Sequence, residues 1–157
     1  MEALLLLGGN MGDPPATLAR AIDLLSKGVG EVLATSRDHW TEPWGFDDER
    51  LFLNKAIVLR TDLAPLQLMT ECLRIEQLLG RMRLERVGYM SRPIDIDVLL
   101  IGDQLIDGNA LRVPHPRMHE RSFALAPAAD VAPGWMHPVL QRSVLQLLDD
   151  VKQKEPR

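Results

Sequence analysis

The stretch SRPIDIDVLLI, from Ser91 to Ile101, predicts a buried β-strand even though it carries two aspartates. Because side chains alternate between the two faces of a strand, Asp95, Asp97 and Leu99 share one face. Ile94 and every second residue after it, up to Leu100, share the other, so the apolar face is complete without the carboxylates. Aspartate is disfavoured in strands and like charges on one face repel, so the pair costs stability unless a cation binds there.

This strand is the last in a pattern of strands and helices that covers the first hundred residues. The first helix is predicted to begin after Asp13 and to end at Gly28, and the second to run from Pro65 to Gly80. Strands are predicted over residues 3–8, 31–40, 52–61 and 94–101, an arginine-rich connection over 81–92, and short helices over 121–130 and 143–152. The order predicts an α+β fold, a ferredoxin-like βαββαβ sandwich with helices packed on an antiparallel sheet. The length of 157 residues predicts a single domain, 1–157.

The composition limits the classes of protein to which the chain can belong. Apolar residues make up 46% of it, and 18 Lys and Arg against 22 Asp and Glu give a net charge of −4, which argues against a general polyanion binder but leaves room for a local basic patch. The one cysteine, Cys72, cannot form an internal disulfide and is expected to be a small buried hydrophobe. The leucine run at residues 4–7 follows Glu2 and is too short for a signal peptide or a membrane span. We therefore expect a cytoplasmic protein with no membrane or nucleic-acid partner.

A cluster of arginines precedes the two aspartates. Two residues of strand rise separate the carboxylates by roughly 6–7 Å at Cα, close enough to hold a common divalent metal site. The arginines are Arg81, Arg83, Arg86 and Arg92, and His115 and Arg121 could add further donors. Such a set suits a polyphosphate, because carboxylates hold Mg²⁺ and guanidiniums neutralise the remaining phosphate charge. The alternative is a solvated face with salt bridges to Glu76 and Glu85.

Aromatic residues are concentrated in one short span, at Trp40, Trp44, Phe46 and Phe52. Aromatic faces can sandwich a flat heterocycle, and the Asn54 amide, on the same strand face as Phe52, offers a donor and an acceptor to its edge. Core packing is the alternative, and taken singly it is favoured for Trp40 and Phe52. Neither a G-x-x-x-x-G-K-S/T loop nor a G-x-G-x-x-G turn occurs, so any nucleotide must be held by metals and arginines.

Several stretches together resemble the 6-hydroxymethyl-7,8-dihydropterin pyrophosphokinase family. They occur in order through most of the chain, which makes the match far more specific than any single motif. They are LGGNMGD from Leu7 to Asp13, TEPWG from Thr41 to Gly45, FLN from Phe52 to Asn54, GRMR from Gly80 to Arg83, SRPIDID from Ser91 to Asp97, and VPHPRMHERSF from Val113 to Phe123.

The resemblance implies a Mg²⁺-dependent pyrophosphokinase of folate biosynthesis. It implies transfer of the terminal pyrophosphate of ATP to the hydroxymethyl group of the pterin, with release of AMP. It further implies that Asp95 and Asp97 bind two Mg²⁺ ions, and that Asp95 orients the attacking hydroxyl. By the same resemblance, Phe52 and Phe123 would sandwich the pterin, while Thr41, Asn54 and the Trp44 backbone would bind its edge. Arg81 and Arg92 would act on the phosphates. The residues that would assist ATP binding are Arg83, Arg86, His115 and Arg121. Residues 45–51 and 81–92 would form lids over the substrates, and we expect a monomer.

The chain departs from the family pattern at three places. It has Gly8-Gly9-Asn10 where Gly-Ser-Asn is usual, and Phe52 where a tyrosine is common. Where the family often has Trp-Gly-Pro-Arg, it has the residues from Gly88 to Arg92. Two other classes stay open at this point: a two-metal nucleotidyl transferase or cyclase, and a non-catalytic ferredoxin-like binding module.

Overall fold

The computed structural model describes residues 1–42, 51–87 and 93–155, and for residues 81–87 it describes the backbone alone. The strands are β1 (Glu2–Gly9), β2 (Glu31–Thr35), β3 (His39–Thr41), β4 (Phe52–Arg60), β5 (Asp95–Ile101), β6 (Ile106–Asp107) and β7 (Arg112–Val113). The helices are α1 (Pro14–Gly28), α2 (Pro65–Val87), α3 (Ser122–Val131) and α4 (Val144–Lys154), with a 3-10 turn at Met118–Glu120. None of the helices in these ranges is long and apolar enough to cross a membrane.

The main sheet has the strand order β2-β4-β1-β5, with the short β3 also pairing to β4, and all of its pairings are antiparallel. Strand β1 lies in the middle because its leucine run fills both faces of the sheet, and Leu4, Leu5 and Leu7 are all fully buried. The element order confirms the predicted α+β fold, in which an antiparallel sheet carries the helices.

Helices cover both faces of this sheet. On one face, Leu5 and Ile96 pack with the apolar stripes of α1 and α2, and the stripe of α2 includes Cys72. On the other face, Leu6 and Ala56 pack with α3 and α4. We call this second face the site face, because alternation along β4 and β5 places Asn54, Asp95 and Asp97 on it.

The alternation predicted for β5 fails at its C-terminal end. Its register with β1 shifts between Leu4 and Leu5, which is a β-bulge. As a result Leu99 and Leu100 both pack in the cluster under α3 and α4, whereas Val98 and Ile101 pack toward α1 and α2. The placement of Leu100 beside Ile94 was therefore wrong, since a bulge leaves no period-2 signal in the sequence.

The strand predicted over residues 31–40 is broken into β2 and β3. At the break, the Ser36 backbone N–H donates to the Ala56 carbonyl at 2.8 Å, and the Ser36 hydroxyl accepts from the Ala56 N–H at 2.9 Å. The hydroxyl thus takes the place of a backbone acceptor in the ladder. Beyond Ser36 the chain resumes as β3, opposite the first residues of β4.

Helix α2 does not end at Gly80, as the sequence predicted, but continues to Val87. A glycine inside a helix costs about 1 kcal/mol relative to alanine and does not by itself end it. Here a Cβ at Gly80 would lie 3.2 Å from Cδ of Pro93, so the glycine lets the chain before β5 pack closely on the helix. Arg81, Arg83 and Arg86 therefore belong to the end of a helix rather than to a connecting loop.

Candidate active site

The two aspartates lie at the start of β5, an edge strand of the sheet. In the register with β1, Asp95 is opposite Gly8 and Asp97 is opposite Leu6. Asp95 is exposed and Asp97 is half-buried, with the apolar cluster of the site face beginning beside it at Leu6. The carboxylates therefore stand where the helix-covered part of this face gives way to an open part.

The outer edge of β5 is held by groups that do not belong to the sheet. Glu76 on α2 accepts a hydrogen bond from the Ile96 N–H at 2.6 Å, between the two aspartates. Further along the same strand, the Leu99 carbonyl accepts from the His115 N–H at 2.9 Å. The strand that carries the carboxylates is thus fixed by β1 on one side and by α2 and the segment at His115 on the other.

A divalent metal site fits the donor set at Asp95 and Asp97. In the described part of the chain, no group of three or more His, Cys, Asp or Glu side chains could hold a metal ion. Mg²⁺ usually binds through one or two carboxylates together with water and substrate phosphates, rather than in a cage made of protein alone. Two carboxylates on one strand face at an open end of the sheet match that requirement.

Across the sheet from the aspartates lies a polar pair, Asn54 and Thr41. Asn54 is only 4% exposed, and its amide nitrogen donates to the Thr41 hydroxyl at 3.3 Å. The sequence had indicated that an amide in this apolar strand needs partners, and Thr41 is one of them. Phe52, opposite Thr41 in the pairing of β3 with β4, is half-buried and lies on the same face.

Gly8 joins these two groups into one row. It is paired with Asn54 on one side and with Asp95 on the other. With neighbouring strands about 5 Å apart, Asn54 and Asp95 lie about 10 Å from each other at Cα, and Gly8 lies between them. A Cβ at Gly8 would approach the Asn54 side-chain oxygen to 2.9 Å, so only a residue without a side chain fits beside the amide in its present orientation.

The N-terminal turn of α3 brings an aromatic ring and a cation to the same face. Phe123 packs against the cluster that includes Leu6 and Ala56, and the Arg121 guanidinium carbon lies 5.5 Å from the centre of its ring. This is the distance of a cation–π contact. Phe52 on the sheet and Phe123 on α3 thus place two aromatic rings at this face.

His115 precedes this turn and is held as a neutral ring. Burial, together with the positive charges of Arg121 and Arg117, lowers the pKa of His115 below its usual value. Its Nδ1 accepts from the Arg117 N–H at 3.2 Å, which leaves the proton of the neutral ring on Nε2. His115 can therefore donate a hydrogen bond to a phosphate oxygen without being charged.

Other predicted site residues lie outside what the structure describes. Arg92 and Trp44 fall outside the described residues, as do most of the predicted lid at 45–51 and the end of the lid at 81–92. Arg81, Arg83 and Arg86 lie on the last turns of α2, and only their backbone is described. They follow Gly80, which packs against Pro93 just before β5, on the helix that also supplies Glu76.

Trp40 does not lie with the aromatic residues that could sandwich a flat heterocycle on the site face. It is paired with Leu53, so it projects from the face opposite to that of Thr41 and Asn54, and it is 46% exposed. The interpretation of Trp40 as a core residue was therefore wrong as well. Cys72 is buried as predicted, and burial followed by the charges of Glu76, Glu71 and Asp97 raises the pKa of its thiol to about 12, so it has no nucleophilic role near neutral pH.

Sequence reasoning missed two residues of this site. Glu76 had been considered only as a salt-bridge partner for the arginines, and Gly8 only as part of a turn. A signal for Glu76 was present, because it is a carboxylate next to Ile75 on the apolar stripe of α2. Gly8 could not have been found without the register of the strands on either side of it.

Comparison with known proteins gives the same result from family models and from single relatives. Residues 4–133 match the model of the 7,8-dihydro-6-hydroxymethylpterin-pyrophosphokinase (HPPK) family. The 2-amino-4-hydroxy-6-hydroxymethyldihydropteridine pyrophosphokinase of Porphyromonas gingivalis is 42% identical over 134 residues, which are 84% of this chain and 90% of that protein. The enzyme of the same name from Methylorubrum extorquens is 44% identical over 133 residues, 84% of this chain and 83% of its own.

Solved structures match the fold along nearly the whole chain. The wild-type HPPK-DHPS of Plasmodium falciparum superposes with a TM-score of 0.77 at 16% identity and covers 98% of this chain. A second HPPK-DHPS, solved in complex with substrates, gives a TM-score of 0.78 at 14% identity and also covers 98%. This chain spans only 45% and 43% of those two solved chains, so the likeness concerns the fold of one part of them.

Proposed function

The chain belongs to the 7,8-dihydro-6-hydroxymethylpterin-pyrophosphokinase family, and on that premise we propose which of its residues hold each reactant. The activity of the chain is the transfer of pyrophosphate from ATP to 6-hydroxymethyl-7,8-dihydropterin in folate biosynthesis. This assignment confirms the resemblance found in the motifs. It decides against both the nucleotidyl transferase or cyclase and the non-catalytic binding module.

The observation that carries the assignment of roles is the row formed by Asn54, Gly8 and Asp95 on the site face. An amide that can bind a heterocycle edge stands at one end and a carboxylate that can bind a metal at the other, with Gly8, which carries no side chain, between them. The pterin ring lies at the Asn54 end, with Thr41 and the Trp44 backbone on its edge and Phe52 and Phe123 on its faces. Its hydroxymethyl group then points along the row toward Asp95.

Asp95 and Asp97 bind two Mg²⁺ ions together with the phosphates of ATP. When bound, these ions neutralise the phosphate charge and polarise the phosphoryl oxygens. Asp95 is in register with Asn54 through Gly8, whereas Asp97 lies two residues further along β5, opposite Leu6. Asp95 is therefore the carboxylate that faces the pterin hydroxyl and orients it.

The cations at the end of α2 and at the start of α3 bind the triphosphate. Arg81 and Arg92 act on the phosphates undergoing transfer, and Arg83, Arg86 and Arg121 take the remaining charge. The neutral His115 donates from Nε2. The reaction needs little acid–base catalysis: the hydroxyl oxygen forms a bond to the β-phosphorus and releases its proton to solvent, the bond from that phosphorus to the α-phosphate oxygen breaks, and AMP leaves with that oxygen.

The remaining expectations are proposals of the same kind. We propose that residues 1–157 act as a single domain, as a monomer in the cytoplasm. The continuous main sheet, with helices on both faces, supports the single domain.

Substitution of Asp97 tests the metal assignment. We expect Asp97→Ala to lose turnover by about 100-fold or more, since charge neutralisation supplies most of the rate in phosphoryl transfer. The variant should stay folded, because it removes one of two like charges from a strand in which aspartate is disfavoured. The measurement is AMP and pterin diphosphate formed from ATP, Mg²⁺ and the pterin, with circular dichroism for folding.

Asp23→Ala is the matched control, since Asp23 is an exposed aspartate on α1 that is paired with Lys27. It should keep wild-type turnover and Mg²⁺ dependence. Wild-type turnover in Asp97→Ala would instead contradict the metal assignment, and so would a Mg²⁺ requirement for ATP binding equal to that of the unchanged protein.

A further inference from the structure

A carboxylate outside the predicted site binds two elements of the fold together. Asp130 lies on the last turn of α3, and Arg37 lies between β2 and β3. The Arg37 Nε donates to Asp130 Oδ2 at 3.2 Å and its terminal nitrogen to Oδ1 at 3.1 Å, so the contact is bidentate. The Arg37 backbone N–H donates to Oδ2 as well, at 3.2 Å.

His39 completes the cluster from the first residue of β3. Its Nε2 lies 2.8 Å from Asp130 Oδ2. Although Asp130 is at the surface, its side chain is only 17% exposed, and the side chain of His39 is 20% exposed. Arg37 is 81% exposed, so its ion pair is screened by water, but the fork geometry still fixes the direction of the carboxylate.

Strand β3 and helix α3 also carry parts of the proposed pterin site. We call this site, formed by Thr41, Phe52, Asn54 and Phe123, the pterin slot. On β3, Thr41 follows His39 by two residues and therefore lies on the same face, where its hydroxyl accepts from Asn54. On α3, Phe123 lies seven residues before Asp130, about 10 Å along the helix. Asp130 thus bonds the strand that presents Thr41 to the helix that presents Phe123.

We propose that Asp130, held by Arg37 and His39, is a positioning residue that sets the distance between β3 and the aromatic side of α3, and so the width of the pterin slot. The proposal rests on the pterin slot assigned under the proposed function. In this proposal Asp130 and its two partners act on pterin binding through the positions of Thr41 and Phe123. Their role is to keep Thr41 and Phe123 in register with one ring.

The test separates pterin binding from ATP binding. In Asp130→Asn the carboxylate is lost at nearly constant volume, and we expect the pterin KM to rise about tenfold while the ATP Kd and kcat change less than about twofold. Asp130→Glu, which keeps the charge on a longer stem, should recover part of the pterin KM. A general loss of structure would instead move both substrates and kcat together.

Asp150→Asn is the matched control, because Asp150 accepts a bidentate contact from Arg142, at 2.9 and 2.8 Å, within the C-terminal segment. It should leave the ratio of the two affinities unchanged. Should Asp130→Asn not fold, Arg37→Ala removes the fork while leaving the carboxylate and His39 in place, and it should raise the pterin KM in the same selective way.

Asn54→Ala distinguishes failure of this proposal from failure of the slot. If Asn54→Ala weakens pterin binding and neither Asp130→Asn nor Arg37→Ala does, the slot stands and the positioning role is overturned. If Asn54→Ala leaves pterin binding unchanged, the slot itself is wrong. A selective effect in Asp150→Asn as large as that in Asp130→Asn also overturns the role of Asp130.

Discussion

At the scale of single residues, Gly8 shows how a missing side chain can be a functional feature. Its neighbours Asn54 and Asp95 belong to two different strands, and a methyl group at Gly8 would lie 2.9 Å from the Asn54 side-chain oxygen. That separation is well below ordinary van der Waals contact, so the amide has to rotate or shift. An amide that has turned cannot present the same donor and acceptor to a bound ring.

We therefore predict that Gly8→Ala weakens pterin binding by about tenfold and ATP binding by much less. Binding of each substrate by titration calorimetry, with a non-hydrolysable ATP analogue, measures the two effects separately. Gly28→Ala is a suitable control, since nothing lies within 4 Å of a Cβ at Gly28. Equal weakening of both substrates in Gly8→Ala would count against a role of Gly8 in setting the orientation of the Asn54 amide.

Residue types and spacing predicted the candidate site well where a periodicity carried the information. The common face of Asp95, Asp97 and Leu99 follows from alternation alone, and so does the common face of Phe52 and Asn54. The row through Gly8 depends on which residues of separate strands lie opposite each other. Asp130 contacts Arg37 and His39, which precede it in the sequence by 93 and 91 positions. No local sequence pattern indicates such a contact.

At the scale of elements, β5 is an edge strand whose outer side is closed by a helix. Edge strands leave backbone N–H and C=O groups without partners in the sheet, and those of β5 would be next to two carboxylates. Glu76 takes the Ile96 N–H, and the His115 N–H binds the Leu99 carbonyl. The helix that continues to the arginines thus also fixes the strand that carries the aspartates.

Removal of the Glu76 carboxylate should loosen this edge. We predict that Glu76→Ala lowers the free energy of unfolding by about 1–3 kcal/mol, the range for a hydrogen bond to a charged group in a partly buried place. Glu76→Gln keeps an acceptor oxygen and should lose less. Urea denaturation gives the stability, and amide hydrogen exchange at Ile96 locates the change.

The outcome at Ile96 is the decisive part of that experiment. Faster exchange at Ile96 in Glu76→Ala, with little change at the central strand β1, is expected if the carboxylate closes the edge. Unchanged exchange at Ile96 would contradict this role, even if the variant were less stable for another reason.

Element boundaries were less predictable than element types. Periodicity predicts the strands and the two long helices. The predicted end of α2 at Gly80 rests on the rule that glycine commonly follows the last turn of a helix. In the fold Gly80 instead makes room for Pro93, a contact between positions far apart in the chain. The break at Ser36 and the bulge before Leu100 are likewise consequences of packing between strands.

At the scale of the whole molecule, the sheet is enclosed between two pairs of helices, and Asp130 bonds one helix to the sheet at the site end. The Arg37 hydrogen bonds lower the pKa of Asp130 to about 2, with a smaller contribution from His39 and against the opposing effect of burial. The ordinary value is 3.8. A carboxyl with a depressed pKa in the folded state stabilises the fold fully above its unfolded value, and that stabilisation is lost as the pH falls through the folded value.

We predict that this carboxyl contributes to acid unfolding between about pH 4 and pH 2, with a slope of at most about 1.4 kcal/mol per pH unit for one proton. Half-buried His115 and buried His137 also lower stability toward acid, but at higher pH, because desolvation lowers the pKa of each ring and the unfolded chain takes up their protons first. Asp130→Asn keeps both histidines, so comparison with the unchanged protein isolates the carboxyl. Below pH 4 the free energy of unfolding should fall less steeply with pH in the variant than in the unchanged protein. Urea denaturation at a series of pH values measures this. Parallel plots of the free energy of unfolding against pH over that interval would show that the Asp130 carboxylate does not bond α3 to the sheet.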